Sequence, residues 1–141
     1  MALRRAELRE LLVKFIKVVA TRLPDDVLKV LQEEREVERD PTAKRFYEMM
    51  LENAHYAAGR GIPICQDTGV PFFFIRLGSR SPYLGPLTSI IEESLKAASE
   101  EIPLRPNAVD PVTDENLGDN IGPYIPWICL LYTSPSPRDR G

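Results

Sequence analysis

The chain has 141 residues, enough for one domain of ordinary size or for the opening part of a larger one. Its composition, with 43% hydrophobic and 28% charged residues, is close to that of average soluble globular proteins and excludes a fully disordered or fibrous chain. The formal net charge of −3 is too balanced for a protein that binds nucleic acid or an anionic membrane by bulk electrostatic attraction.

The sequence contains no candidate transmembrane segment or secretory signal. The longest apolar run, about eight residues from Ile125 to Tyr132, is well short of the roughly 18 residues that a membrane span needs. Charged residues, among them Glu7, Arg9 and Lys14, interrupt the N-terminal region where the apolar part of a signal peptide would lie. We therefore expect a cytoplasmic protein with no membrane partner.

The first 60 residues predict a layer of three helices. Between Leu8 and Val19, apolar residues recur every three or four positions, which predicts an amphipathic helix whose stripe faces the core. A second helix is predicted to begin at Asp25 and Asp26, because acidic residues favour the positive end of the helix dipole. Its narrower apolar stripe consists of Val27, Val30, Leu31 and Val37.

The third predicted helix has recognisable ends. Asp40 is a typical N-cap residue, and Pro41 suits the first helical position. Gly59 and Gly61 are expected to end the helix. The residues predicted to face inward are Phe46, Met50, Ala54 and Ala57.

The middle of the chain changes from helical to strand periodicity. The aromatic-rich run from Pro71 to Leu77 predicts a short strand buried on both faces, and Gly78 closes it. Helical spacing returns from Leu87 to about Glu100, whereas the Pro-, Asn- and Asp-rich stretch from Ile102 to Trp127 predicts a long irregular segment of functional importance. The fold class expected is α+β or mixed α/β, with an N-terminal helical layer followed by a strand–helix region.

The C-terminal residues differ in character from the rest. The run from Cys129 to Asp139 resembles the in-frame translation of a sequencing adapter, and its Pro and Ser content is typical of a disordered tail. We therefore expect residues 1–128 to be the natural, truncated part of a domain, and residues 129–141 to be a non-native tail.

The segment Pro63–Gly69 places a thiol, an amide, a carboxylate and a hydroxyl on four successive residues, from Cys65 to Thr68. Loops between rigid elements commonly carry chemistry, and Gly69 can help the side chains converge. A lone cysteine also has ordinary explanations, as a small buried hydrophobic residue or an incidental thiol. A Cys–His nucleophile pair with His55 has little support, because the sequence does not indicate that the two residues are close.

A second group of polar residues lies between Arg105 and Gly122. Arg105 offers a planar guanidinium suited to a carboxylate, although a surface ion pair explains it equally well. The acidic residues in this stretch lack the ligand spacing of a calcium-binding EF-hand loop, so turn and capping roles are favoured for them. These acidic residues are Asp110, Asp114, Glu115 and Asp119.

Three motifs in order give the sequence a family resemblance. ICQDTG at residues 64–69, RPNAVDP at 105–111 and the NxGDNxG pattern at 116–122 resemble the α-subunit region of iron–sulfur hydro-lyases, the class I fumarase and tartrate dehydratase family. The resemblance extends over nearly all of residues 1–128. It implies a [4Fe–4S] cluster held by three cysteines, with one iron open to substrate.

The resemblance also implies roles for individual residues. Cys65 is the implied cluster ligand, Gln66 and Asp67 are implied to reach substrate, and Arg105 is implied to bind a substrate carboxylate. A weaker hypothesis gives Asp67 a catalytic part in proton transfer. The NxGDNxG loop is expected to shape the wall of the site. Because the chain has one candidate native cluster cysteine, we expect it to be inactive alone.

The function implied is reversible addition or removal of water at a small dicarboxylate, with fumarate/malate favoured over tartrate. A β subunit or fused β domain and an oligomeric complete protein are implied as well, with no nucleic-acid partner. The alternative function is that of a non-catalytic helical adaptor or regulatory module, which would bind a partner through its first helices and would not depend on Cys65 or Arg105.

Overall fold

The fold is mixed α/β, as the sequence predicts. The computed structural model describes residues 3–67, 69–116, 118–122 and 125–133, and for Tyr132 and Thr133 it describes the backbone alone. Along this described part run, in order, α1 (Arg5–Thr21), α2 (Asp25–Val37), α3 (Pro41–Arg60), β1 (Phe72–Gly78), α4 (Leu87–Glu101) and β2 (Trp127–Thr133). None of the four described helices combines the length and apolar composition that crossing a lipid bilayer requires.

The ends of α3 confirm the signals read from the sequence. The Asp40 carboxylate accepts hydrogen bonds from the backbone N–H groups of Thr42 and Ala43, at 2.8 and 2.9 Å, and Pro41 occupies the first helical position. Gly61 ends the helix in the left-handed conformation, with φ of 67°, which glycine adopts without the steric cost of a Cβ atom.

The core lies along α4. This helix buries the side chains of Ile90, Ile91, Leu95 and Ala98 almost completely, and α1 packs against it. Ile102, directly after α4, is also fully buried and clusters with Val13 of α1 and Ala98. The α4 helix is therefore the rigid element to which the loops of the molecule can be anchored.

The predicted inward faces of α1 and α3 are partly wrong. In α1 the buried apolar residue is Val13, whereas Leu11, Phe15 and Val19 of the predicted stripe are more than half exposed. In α3, Ala54 and Ala57 are buried as predicted, but Phe46 and Met50 are exposed and Leu51 is buried instead. Because α1 carries apolar residues around most of its circumference, periodicity could not select the face that packs on α4.

The two strands form a parallel pair, with Phe72 opposite Trp127 and Gly78 opposite Thr133. The prediction that β1 is buried on both faces is wrong, because exposure alternates along the strand and the Phe74 side chain is 73% exposed. A continuous apolar run is typical of a strand covered on both sides, but β1 in the described structure has one partly covered face.

The predicted irregular segment after α4 is confirmed, since the described residues between Ile102 and Trp127 contain only turns and isolated bridges. The first residues of the expected C-terminal tail have regular structure, unlike the prediction. Residues 129–133 belong to β2, so the expectation of a tail without regular structure is wrong for these five residues. Residues 134–141 lie outside the described part of the chain, and the adapter origin of residues 129–141 stays a prediction.

Candidate functional site

The loop that carries Cys65 connects α3 to β1 and is fixed at its start. The backbone N–H of Ile64 donates to the carbonyl of Ala20 at the end of α1, at 3.0 Å. The carbonyl of Ile64 accepts from the Asn53 side chain on α3, at 2.8 Å. Ile64 is thus hydrogen-bonded to two helices, and this fixes the start of the segment that carries Cys65, Gln66 and Asp67.

The structure brings the first two sequence motifs together. The Gln66 amide donates to the carbonyl of Pro103 at 2.9 Å, and the Arg105 guanidinium donates to the carbonyl of Gln66 at 3.0 Å. The Asn107 side-chain amide donates to the carbonyls of Asp67, at 3.2 Å, and Gly69, at 2.7 Å. The ICQDTG and RPNAVDP loops, separated by about forty residues of sequence, therefore lie side by side.

The third motif is hydrogen-bonded to the second through Asn120. Asn120 is only 3% exposed, and its side-chain carbonyl accepts from the backbone N–H of Asn107 at 2.8 Å. Its side-chain amide donates to the hydroxyl of Ser99 on α4, at 3.1 Å. Asn120 has a φ of 59°, in the left-handed region that asparagine tolerates better than most residues. The predicted role of the NxGDNxG loop in shaping the site is consistent with this position.

A cavity of about 680 Å³ opens beside these loops. Cys65, Asp67 and Arg105 all line it, so three of the four predicted site residues share one cavity, whose lining also includes Asn107 and Asn120. Gln66 is not among the lining residues, since its amide is directed to the Pro103 carbonyl. The lining also includes apolar residues of α1 and β1, with Phe15, Val19 and Phe73 as examples.

The charges in this cavity suit a small polar anion. Arg105 supplies a cation whose guanidinium has five N–H donors in a fixed fork, of which one Nη1 bond orients it against the Gln66 carbonyl. Asp67 supplies a carboxylate in the same cavity. Such an arrangement can bind a carboxylate at Arg105 and place a proton acceptor or donor near it.

The Cys65 side chain is exposed, so the explanation of this cysteine as a buried hydrophobic residue is wrong. The single histidine of the sequence, His55, lies on α3, where its ring Nδ1 bonds the Leu51 carbonyl of the same helix at 2.7 Å. The second cysteine, Cys129, lines a separate cavity.

A test of the donor set shows what Cys65 can hold. Thiolates are the usual protein ligands of iron–sulfur clusters, and an exposed thiol at the mouth of a cavity fits one position on such a cluster. Within the described residues, however, no group of three or more His, Cys, Asp or Glu side chains converges on a metal position. The chemistry of Cys65 therefore fits a single thiolate position of such a cluster, and the described residues show no convergent group that would complete a ligand set.

Two of the four acidic residues beyond Arg105, Asp110 and Asp119, have the turn role that the sequence favours. The Asp110 carboxylate accepts from the backbone N–H groups of Thr113 and Val112, at 2.9 and 2.8 Å, and these bonds lower its pKa below the ordinary value. Asp119 accepts from the N–H of Ile121 and lies 3.4 Å from the ammonium of Lys96. These carboxylates are used locally and do not converge on a cation.

Two residues take a direct structural part in the site that the sequence prediction did not specify. Asn107 had no individual predicted role, and Asn120 had only the general role of shaping the loop. The one available signal was composition, because Asn combines a donor, an acceptor and tolerance of left-handed backbone. Nothing in the sequence indicated that these two side chains would meet, since that contact depends on how the loops pack against α4.

Comparison with known proteins supports the resemblance seen in the motifs. The family model described as "Fumarate hydratase (Fumerase)" matches residues 9–134. The L(+)-tartrate dehydratase subunit alpha of Escherichia coli (strain K12) is 38% identical over 122 residues, which cover 86% of this chain and 40% of that protein. A putative L(+)-tartrate dehydratase subunit alpha of Methanocaldococcus jannaschii is 33% identical over 135 residues, covering 94% of this chain and 47% of that protein.

The chain thus spans less than half the length of these curated relatives. The matched region includes all three motifs and both loops that meet at the cavity. From the extent of the family match and the identity to these relatives, the chain belongs to the fumarate hydratase (Fumerase) family.

Proposed function

We propose that this chain is the N-terminal part of the catalytic α subunit of a hydro-lyase, which reversibly adds or removes water at a small dicarboxylate. The observation that carries the proposal is that Cys65, Asp67 and Arg105 line one cavity. Family membership and relatives named as tartrate dehydratase α subunits support the reaction class. The preference for fumarate/malate over tartrate stays a prediction, because the family description and the relatives' names point to different substrates.

Arg105 is the proposed binding residue for one substrate carboxylate. Its Nη1 bond to the Gln66 carbonyl orients the guanidinium, and the remaining N–H donors of the fork can serve a planar carboxylate. Gln66 is proposed to contribute to substrate binding through its backbone, which positions Arg105, and through its side chain if the bond to Pro103 opens.

Asp67 is the proposed proton-transfer residue. Asp67 lines the same cavity as Arg105, and a dicarboxylate held by the guanidinium is proposed to place its carbon chain near this acid–base group. The Asn107 amide fixes the Asp67 backbone through its carbonyl, which restricts where the carboxylate can move. Proximity of this kind converts a second-order proton transfer into a step within one complex.

Cys65 is proposed to be one of three cysteine ligands of a [4Fe–4S] cluster in the complete protein. When bound, such a cluster supplies an iron without a protein thiolate, a Lewis acid that polarises the substrate hydroxyl. Cys65 would provide one thiolate for it, and we propose that the others lie in the remainder of the protein. We propose accordingly that the 141-residue chain is inactive alone, and that a β subunit or fused β domain and a higher oligomer complete the enzyme.

The test uses the gene completed from its genome, with the protein reconstituted with iron and sulfide without oxygen. Hydration or dehydration is assayed with fumarate, malate and tartrate, and iron and sulfide are measured per chain. Cys65→Ser should lose most of the bound iron, whereas Arg105→Ala should keep the iron and raise KM. Loss of one or two charge-assisted hydrogen bonds, at about 1.5–3 kcal/mol, corresponds to roughly 10- to 150-fold in KM.

The matched control is Arg76→Ala, an exposed arginine on β1 outside the lining of the cavity, which should change neither readout. Wild-type protein without cluster absorbance and without activity on any of the three diacids would refute the enzyme proposal. The adaptor alternative predicts instead that partner binding survives both Cys65→Ser and Arg105→Ala and that no iron is bound. The same genomic sequence, read across codons 126–141, will show whether residues 129–141 are coding or adapter DNA.

A further inference from the structure

A chain of hydrogen bonds links the Cys65 loop to the most buried helix of the molecule. It begins at the Ser99 hydroxyl on α4, which accepts from the Asn120 amide, and continues from the Asn120 carbonyl to the backbone N–H of Asn107. It ends where the Asn107 amide donates to the carbonyls of Asp67 and Gly69. Each member holds the next through a separate group, so the four bonds form one continuous connection.

We propose that Asn107 is a positioning residue of the hydro-lyase site, an inference that rests on the function proposed above. One amide group bridges two carbonyls that are two residues apart, and this fixes the course of the backbone on either side of residue 68. Asp67, which lines the cavity, lies within the fixed stretch, and Cys65 lies two residues before it. Asn107 therefore positions the loop by holding its backbone, and in this role it does not act on the substrate itself.

Asn120 makes this restraint effective because it is anchored. Its side chain is buried, with both amide atoms bonded, and α4 buries more apolar side chains than any other described helix. A restraint that starts from a rigid element transmits little motion, whereas a bond between two exposed loops would move with both of them. The wall of the cavity near Asp67 is thereby attached to the core instead of to solvent-exposed chain.

The test compares backbone order in the 141-residue chain by ¹⁵N relaxation. In the wild type, the amides of Asp67 and Gly69 should show order parameters close to those of rigid backbone, about 0.85. Asn107→Asp keeps the shape and the backbone bond to Asn120 but removes the amide donor, and it should lower both values below about 0.6 while amides of α4 stay unchanged. Asn107→Ser, which is neutral and too short to bridge the two carbonyls, should give the same loss if Asn107→Asp does not fold.

The matched control is Asn116→Asp. It removes one amide donor of the same irregular segment, the 2.7 Å bond to the Pro106 carbonyl, and this amide does not bond any described residue of the Cys65 loop. Order at Asp67 and Gly69 should be retained in this variant. Wild-type order parameters already below about 0.6, or unchanged values in a folded Asn107 variant, would overturn the proposal.

A second measurement in the complete, reconstituted enzyme separates this inference from the proposed function. Asn107→Asp should lower kcat per bound cluster by about ten- to a hundredfold, since small misplacement of reacting groups has effects of this size. Cluster content and the free energy of unfolding should stay near wild type. If the wild-type enzyme is inactive, the proposed function fails, while the relaxation data still decide whether Asn107 orders the loop.

Discussion

Leu95 and Leu11 provide a paired test of which helix faces are buried. Leu95, on α4, is 1% exposed, while Leu11, on α1, is 53% exposed although sequence periodicity places it in the inward stripe. The same substitution, Leu→Ala, removes the same atoms at both positions. Its cost therefore reports the environment of the side chain and not the chemistry of the change.

The two substitutions should lower the free energy of unfolding by different amounts, because the cavity and transfer contributions differ between the two sites. At Leu95, loss of the buried side chain and the cavity left behind should together lower the free energy of unfolding by about 2–5 kcal/mol. At Leu11 no enclosed cavity can form and about half of the transfer term of 1.5–3 kcal/mol is absent, so about 1 kcal/mol remains. The better helix propensity of Ala offsets a few tenths of that value.

Urea unfolding of both variants, followed by circular dichroism, measures this difference. The comparison requires equal m-values, since a changed slope would indicate a changed denatured or native state. Leu95→Met, which conserves volume, should cost less than about 1.5 kcal/mol and remains measurable if Leu95→Ala does not fold. Equal destabilisation by Leu11→Ala and Leu95→Ala would show that α1 buries the stripe predicted from the sequence, and the packing described above would be wrong.

Two further predictions concern the polar contacts of single carboxylates. Asp40→Ala removes the acceptor for the N–H groups of Thr42 and Ala43 and should cost about 0.5–2 kcal/mol in urea unfolding, whereas Asp40→Asn should recover most of this loss. Asp110 should titrate below an unfolded Asp, because the N–H groups of Thr113 and Val112 stabilise its charged form. Since its folded pKa is the lower one, the stabilisation is present above the unfolded pKa and is lost as pH falls through the folded pKa. Carboxyl ¹³C NMR against pH checks this, and a midpoint at or above that of the urea-unfolded chain would contradict it.

Local signals in the sequence determined the ends of α3. Asp40, Pro41 and Gly61 act on groups within a few residues of themselves, so the bounds of α3 could be predicted without any knowledge of packing. The strand near Phe72 and the turn role of Asp110 depend on equally local preferences and were also predicted correctly. The motifs themselves indicated the family, because residue type and order are properties of the sequence.

Tertiary structure decided which helix faces are buried and which distant residues are in contact. The apolar residues of α1 surround most of the helix, so only contact with α4 determines that Val13 is buried and Leu11 is not. Likewise, the bonds from Asn107 to residues 67 and 69 join positions about forty residues apart, and no local preference specifies such a contact. The sequence by itself determined the ends of α3, the strand near Phe72 and which chemical groups are available. Packing determined which of those groups meet and that residues 127–133 pair with β1, because burial and long-range hydrogen bonds depend on the whole chain.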